Sequence, residues 1–109
     1  MKESEINLRI KLDDKNVPEK IYWNASDKED QGEEETKSVS LNIWDQLNSN
    51  TLRIDLWTKD MPVDEMKQFF HQTLVSMASS FESATNDEKM SATMRDFCDY
   101  FAEKLELIK

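Results

Sequence analysis

Glycine is nearly absent: Gly32 is the only one in 109 residues. A phosphate-cradling loop needs several closely spaced glycines so that backbone amides can approach the anion, and one cannot build it. Cysteine and histidine are just as scarce, with Cys98 and His71 the sole examples. One thiol closes no internal disulfide, and one Cys with one His leaves a structural zinc site two ligands short. Proline is limited to Pro18 and Pro62. No uninterrupted apolar run approaches the roughly 18 residues of a membrane helix, and no N-terminal lipidation pattern is present. Met1 to Leu12 holds neither the apolar stretch nor the cleavage site of a secretory signal, so a soluble, cytoplasmic protein is expected. In that compartment Asn24-Ala25-Ser26 matches a glycosylation sequon only by chance.

What is abundant is charge, 34% of residues against 38% hydrophobic, with a net of −9. Residues 27–35 (DKEDQGEEE) carry −5, residues 60–109 another −5, and the rest of the N-terminal half is left at +1. Binding to nucleic acid needs a dominant basic field to displace counterions from phosphates, so a nucleic-acid partner is not expected. The size and composition fit one globular α+β domain over residues 1–109.

Glu5 to Leu12 alternates strictly, with Ile6, Leu8, Ile10 and Leu12 on one face and Asn7, Arg9 and Lys11 on the other, which predicts a strand over 5–12. A turn at Asp13 to Asn16 leads to a second strand over 20–25, where Ile21 and Trp23 oppose Tyr22. The acidic stretch 26–36 is too charged to bury and reads as a loop. A second hairpin follows, with strands over 37–45 and 51–58. It turns Val39, Leu41, Ile43, Leu52, Ile54 and Leu56 inward and Trp44, Trp57 and Arg53 outward. At Pro62 the period changes from two to 3.6, and Asp64 and Glu65 in the first turn suit a helix N-terminus. Helices are predicted over 62–84 and 86–107, the second opened by a capping box at Thr85-Asn86-Asp87-Glu88. Their stripes are Val63, Met66, Phe69, Phe70, Thr73, Leu74, Met77, Phe81 and Ala84, then Met90, Met94, Phe97, Cys98, Phe101, Leu105 and Ile108. The expected architecture is a four-stranded antiparallel sheet in ββββαα order, packed against a C-terminal antiparallel helical hairpin.

The segments TLRIDLWTKDMPVDEMKQFFHQTL (51–74), MRDFCDYFAEKLEL (94–107) and the opening SEINLRIKLDDKNVPEKIYWNASD together resemble the GldC family of gliding-motility proteins. That resemblance implies a cytoplasmic accessory protein of the surface-gliding machinery, with a machinery component or its clients as partner. It brings no activity, cofactor or catalytic residue to carry over. The expected strand and helix order is also similar in layout to the export chaperone SecB, which frames a holdase alternative by analogy of fold alone.

The residues themselves offer little chemistry. His71 at the border of the first helix's stripe and Cys98 on the second could form a nucleophile pair across the hairpin, but an inert buried thiol is the commoner outcome, so no catalytic site is expected. Asp27, Glu29, Gln31 and Gly32 fall at positions 1, 3, 5 and 6 of a calcium-loop count, yet position 12 is Ser38 where a bidentate Glu is required, so no metal or cofactor is expected. The stronger candidate is a protein interface on the outer sheet face: Tyr22, Trp44 and Trp57 with Arg9, Lys11, Lys20 and Arg53, residue types that dominate protein interfaces. A second candidate is the uncharged ridge Gln68, Gln72, Ser76, Ser79 and Ser83 on the first helix, small enough to let another helix approach, so a homo-oligomer is a further option.

Overall fold

The computed structural model describes residues 2–29 and 32–107, so Gln31 of the calcium count and Ile108 of the second helical stripe lie outside the described residues. Seven elements follow in order: β1 (Ile6–Leu12), β2 (Pro18–Ala25), β3 (Glu34–Thr36), β4 (Ser38–Asp45), β5 (Asn50–Trp57), α1 (Val63–Thr85) and α2 (Glu88–Lys104). The chain divides into two compact units, Met1–Met61 and Pro62–Lys109. It is an α+β protein with antiparallel strands and a C-terminal helical hairpin, but the strands form two sheets rather than one of four. The first runs β1-β2-β3, and β4-β5 form a separate two-stranded ribbon.

In the first sheet β1 and β2 pair with Ile10 opposite Ile21 and Arg9 opposite Tyr22. Their turn is organised by Asp13, whose carboxylate accepts from the amides of Lys15 at 2.8 Å and Val17 at 2.9 Å. Asn16 takes the left-handed conformation there, φ 63°, which its short polar side chain tolerates better than most. Ile21 is fully buried.

The third strand corrects the reading of 26–36 as a loop throughout, because Glu34–Thr36 pairs with Ile21 to Trp23 of β2. Glutamates are poor strand formers, and basic partners on β1, on β2 and in the connecting loop compensate them. Glu33 meets Arg9 at 2.8 Å, Glu34 meets Lys28 at 3.4 Å and Glu35 meets Lys20 at 3.6 Å. Lys28 also sits over the Trp23 ring, 5.4 Å from its centroid.

The ribbon keeps an unbroken register from Ser38 opposite Trp57 to Asp45 opposite Asn50. At its turn the Asp45 carboxylate accepts from the Leu47 amide at 3.1 Å and from the Asn48 side chain at 2.9 Å, and the latter bond holds its pKa below the usual carboxylate range. Of the set expected to face inward, Val39, Leu41 and Leu56 are half-buried, while Ile43 and Leu52 are each 51% exposed and Ile54 47%. A ladder shows which side chains share a face, and whether that face is covered depends on a second layer.

In the helical unit Pro62 is the N-cap of α1, and α1 ends at Asn86 in the left-handed conformation. The cap of α2 is Asp87, which accepts from the Met90 amide at 2.9 Å. This corrects the expected capping box: Thr85 closes α1 instead, its hydroxyl donating back to the Phe81 carbonyl at 2.8 Å. The antiparallel seam is built from small residues, with Ala78 on α1 and Ser91, Cys98 and Ala102 on α2 all buried. Glu82 locks it by accepting from Ser91 at 2.7 Å and Arg95 at 2.9 Å. Of the predicted stripes, Val63, Phe70, Met77, Met90 and Phe97 stay largely exposed.

Candidate interaction surfaces

The first-named candidate surface is distributed over two sheets. Arg9, Lys11, Lys20 and Tyr22 lie on the β1-β2 pair, with Arg9 opposite Tyr22 and Lys11 opposite Lys20. In an antiparallel pair, residues directly opposite share a face, so these four form one patch. The Arg9 guanidinium stands 4.4 Å from the Tyr22 ring centroid, a cation–π contact. It also donates from Nε at 3.1 Å and from Nη2 at 2.8 Å to the two oxygens of Glu33. That hydrogen bond lowers the Glu33 pKa and raises that of Arg9. The patch is therefore occupied by the chain's own acidic segment.

Trp44, Trp57 and Arg53 lie on the ribbon. Trp44 is opposite Thr51 and Trp57 opposite Ser38, so both rings stand on the same face at opposite ends, about 20 Å apart along the strand. Between them, Arg53 donates to Asp55 at 3.1 Å, and the same carboxylate accepts from the Ser40 hydroxyl at 2.8 Å. Trp44 is 62% and Trp57 54% exposed, and Leu47 at the ribbon's tip is more exposed still. Trp and Arg are residue types enriched at protein interfaces relative to the rest of a surface. Gln68, Gln72, Ser76, Ser79 and Ser83 are all exposed along α1.

Two features were beyond sequence reasoning. The Asp13 carboxylate, besides organising its turn, meets Lys59 at 3.1 Å, and its pKa is lowered by the Val17 amide first and by Lys59 next. The Glu82-Ser91-Arg95 lock was also unforeseen, although Arg95 amid the acids of α2 was the available signal. Among the described residues, the buried side-chain oxygen of Asn24 has no hydrogen-bond partner.

The His71 ring stacks on Phe101, centroids 6.1 Å apart and planes 15° from parallel. Cys98 is 3% exposed, and burial pushes its thiol pKa up, away from the thiolate that a nucleophile requires. Among the described residues, no three His, Cys, Asp or Glu side chains are grouped to hold a metal ion, and no helix is long and apolar enough to cross a membrane.

Comparison with known proteins gives one family. Residues 18–107 match the model described as "Gliding motility-associated protein GldC-like". No curated protein and no solved structure matches the chain.

Proposed function

Because this chain belongs to the GldC-like family of gliding motility-associated proteins, we propose that it is a non-enzymatic, cytoplasmic accessory protein of gliding that acts by binding another protein of the machinery. The observation that carries this reading is the open ribbon face, where Trp44 and Trp57 flank Arg53 and each residue is more than half exposed. Amphipathic aromatics and Arg are the usual anchors of protein interfaces. Tyr22, Arg9, Lys11 and Lys20 form a neighbouring patch whose Arg9 is engaged by Glu33, which makes it the weaker binding candidate. The ridge from Gln68 to Ser83 offers an uncharged surface that a partner can cover without desolvating ions.

Capture of the full chain from gliding cells, followed by identification of what co-purifies, tests this. Trp44→Ser with Trp57→Ser should remove the partner and leave the circular-dichroism spectrum unchanged. Undiminished capture would sink the ribbon-face reading. A non-enzymatic role is supported by the stacked His71 and the buried Cys98. A His71→Ala, Cys98→Ala chain that is folded should therefore restore gliding to a deletion strain in full.

A holdase is the second reading, favoured by the half-exposed Ile43, Leu52 and Ile54. It is abandoned if stoichiometric protein leaves the aggregation of an unfolded client unchanged.

A further inference from the structure

A strand at a sheet edge presents unpaired amides and carbonyls, and proteins guard such edges with charge, proline, bulges or very short strands. The first sheet has every one of these guards. Its β1 edge carries Arg9 and Lys11 and a register break between Lys11 and Leu12 beside Pro18. Its β3 edge is three residues long and two of them are glutamate.

Along β4 the ribbon has none of them before Asp45 at its end. Its register is unbroken over eight pairs, and residues 38–44 (SVSLNIW) contain no charge, proline or glycine. Among the described residues no further strand pairs with β4 or β5. The Thr58 amide, donating to Lys37 at 2.8 Å, extends the ribbon's ladder by one pair, and the Lys59 amide reaches Pro18 of the first sheet at 3.3 Å. β5 is the ribbon's other edge and carries the charged Arg53 and Asp55, which leaves β4 as the unguarded one.

We propose that β4 pairs antiparallel with β4 of a second copy of this chain, joining two ribbons into one four-stranded sheet across a two-fold axis. Three observations favour a copy over another occupant. An antiparallel strand is its own complement, so the contact closes at two subunits and leaves no propagating end. With the axis through a single residue position, odd residues oppose odd residues, and Val39, Leu41 and Ile43 of both chains fall on one face. That merges the half-exposed Ile43, Leu52 and Ile54 of each copy into a single apolar strip, where a lone two-stranded ribbon is marginal.

Charge makes the same selection. Two copies of a −9 chain repel over most approaches, and the uncharged edge 38–44 is a route by which they meet without opposing carboxylates.

The inference stands whether or not a gliding component binds, and its measurement is separate from the capture experiment. Light scattering coupled to size-exclusion chromatography of the full chain at micromolar concentration should give twice the chain mass. Asn42→Lys, which sets two like charges across the axis, should halve it, and Lys11→Ser on the guarded edge should leave it at two. Against loss of fold, single cysteines at the edge (Ser40→Cys, Leu41→Cys and Asn42→Cys, each with Cys98→Ala) are oxidised mildly. At least one should form a covalent dimer, and Asn7→Cys on β1 should form none. A monomeric wild-type chain overturns the proposal. So does a dimer that ignores Asn42→Lys and cross-links at none of the three positions, or only at Ser76→Cys on the α1 ridge.

Discussion

The two sheets of the N-terminal unit are built from similar alternating sequences and end in opposite conditions. The β1-β2-β3 sheet encloses Ile21 completely, answers Glu33, Glu34 and Glu35 with Arg9, Lys28 and Lys20, and closes both edges with charge or brevity. The β4-β5 ribbon has the longer uninterrupted ladder and the more apolar composition, yet leaves Ile43, Leu52 and Ile54 about half open. Charge that looks unfavourable for a sheet guards the edges of the first, although Ile6 and Leu12 at the ends of β1 stay open, and apolar regularity leaves the β4 edge of the second unguarded.

The largest expected effect lies on the enclosed side. Ile21→Ala removes a fully buried side chain and should cost about 2–5 kcal/mol in urea unfolding. The matching change on the open side, Ile54→Ala, removes a side chain already 47% exposed and should cost about 1 kcal/mol in dilute protein. If the ribbon is covered by a second copy, that cost should grow with protein concentration, because association stabilises only the folded chain. Equal costs for the two substitutions at every concentration would erase the contrast.

Stripping the guards is a subtler intervention. Arg9→Val with Lys11→Val turns β1 into an uncharged edge and should raise self-association, read as a higher average mass in light scattering and stronger turbidity on warming. The smallest effect concerns pH. Glu33 and Asp13 have pKa values lowered in the folded protein, by Arg9 and by the Val17 amide with Lys59. A depressed folded pKa means stability that is present above the ordinary carboxylate value and lost as pH falls through the folded one. Amide protection in β1-β2 should therefore decline as pH drops below the usual carboxylate range, and molar salt should shrink the effect, because both pairs are at the surface.

How much of this was legible depends on whether the cause was local. Ile6, Leu8 and Ile10 announce a strand by alternation, and Pro62 marks the change to a helical period, since both are patterns within a few residues. The strand Glu34–Thr36 was illegible because its support comes from Arg9 and Lys20, many positions away. The cap of α2 was misplaced by two residues because Thr85 and Asp87 are both capping types, and only the left-handed Asn86 between them decides which helix each serves. Alternation put Val39, Leu41 and Ile43 on one face correctly, but a pattern cannot say whether anything covers that face. For the same reason the sequence grouped Tyr22 with Trp44 and Trp57, which the fold places on different sheets.

Cys98 has a practical use that follows from its position in the helical seam. It is the chain's only thiol, it is buried, and burial keeps it protonated. A thiol-reactive dye added to the native protein should find nothing to label until α1 and α2 separate. The rate at which label appears would then measure how often the hairpin opens, with no engineered probe and no background from any other site.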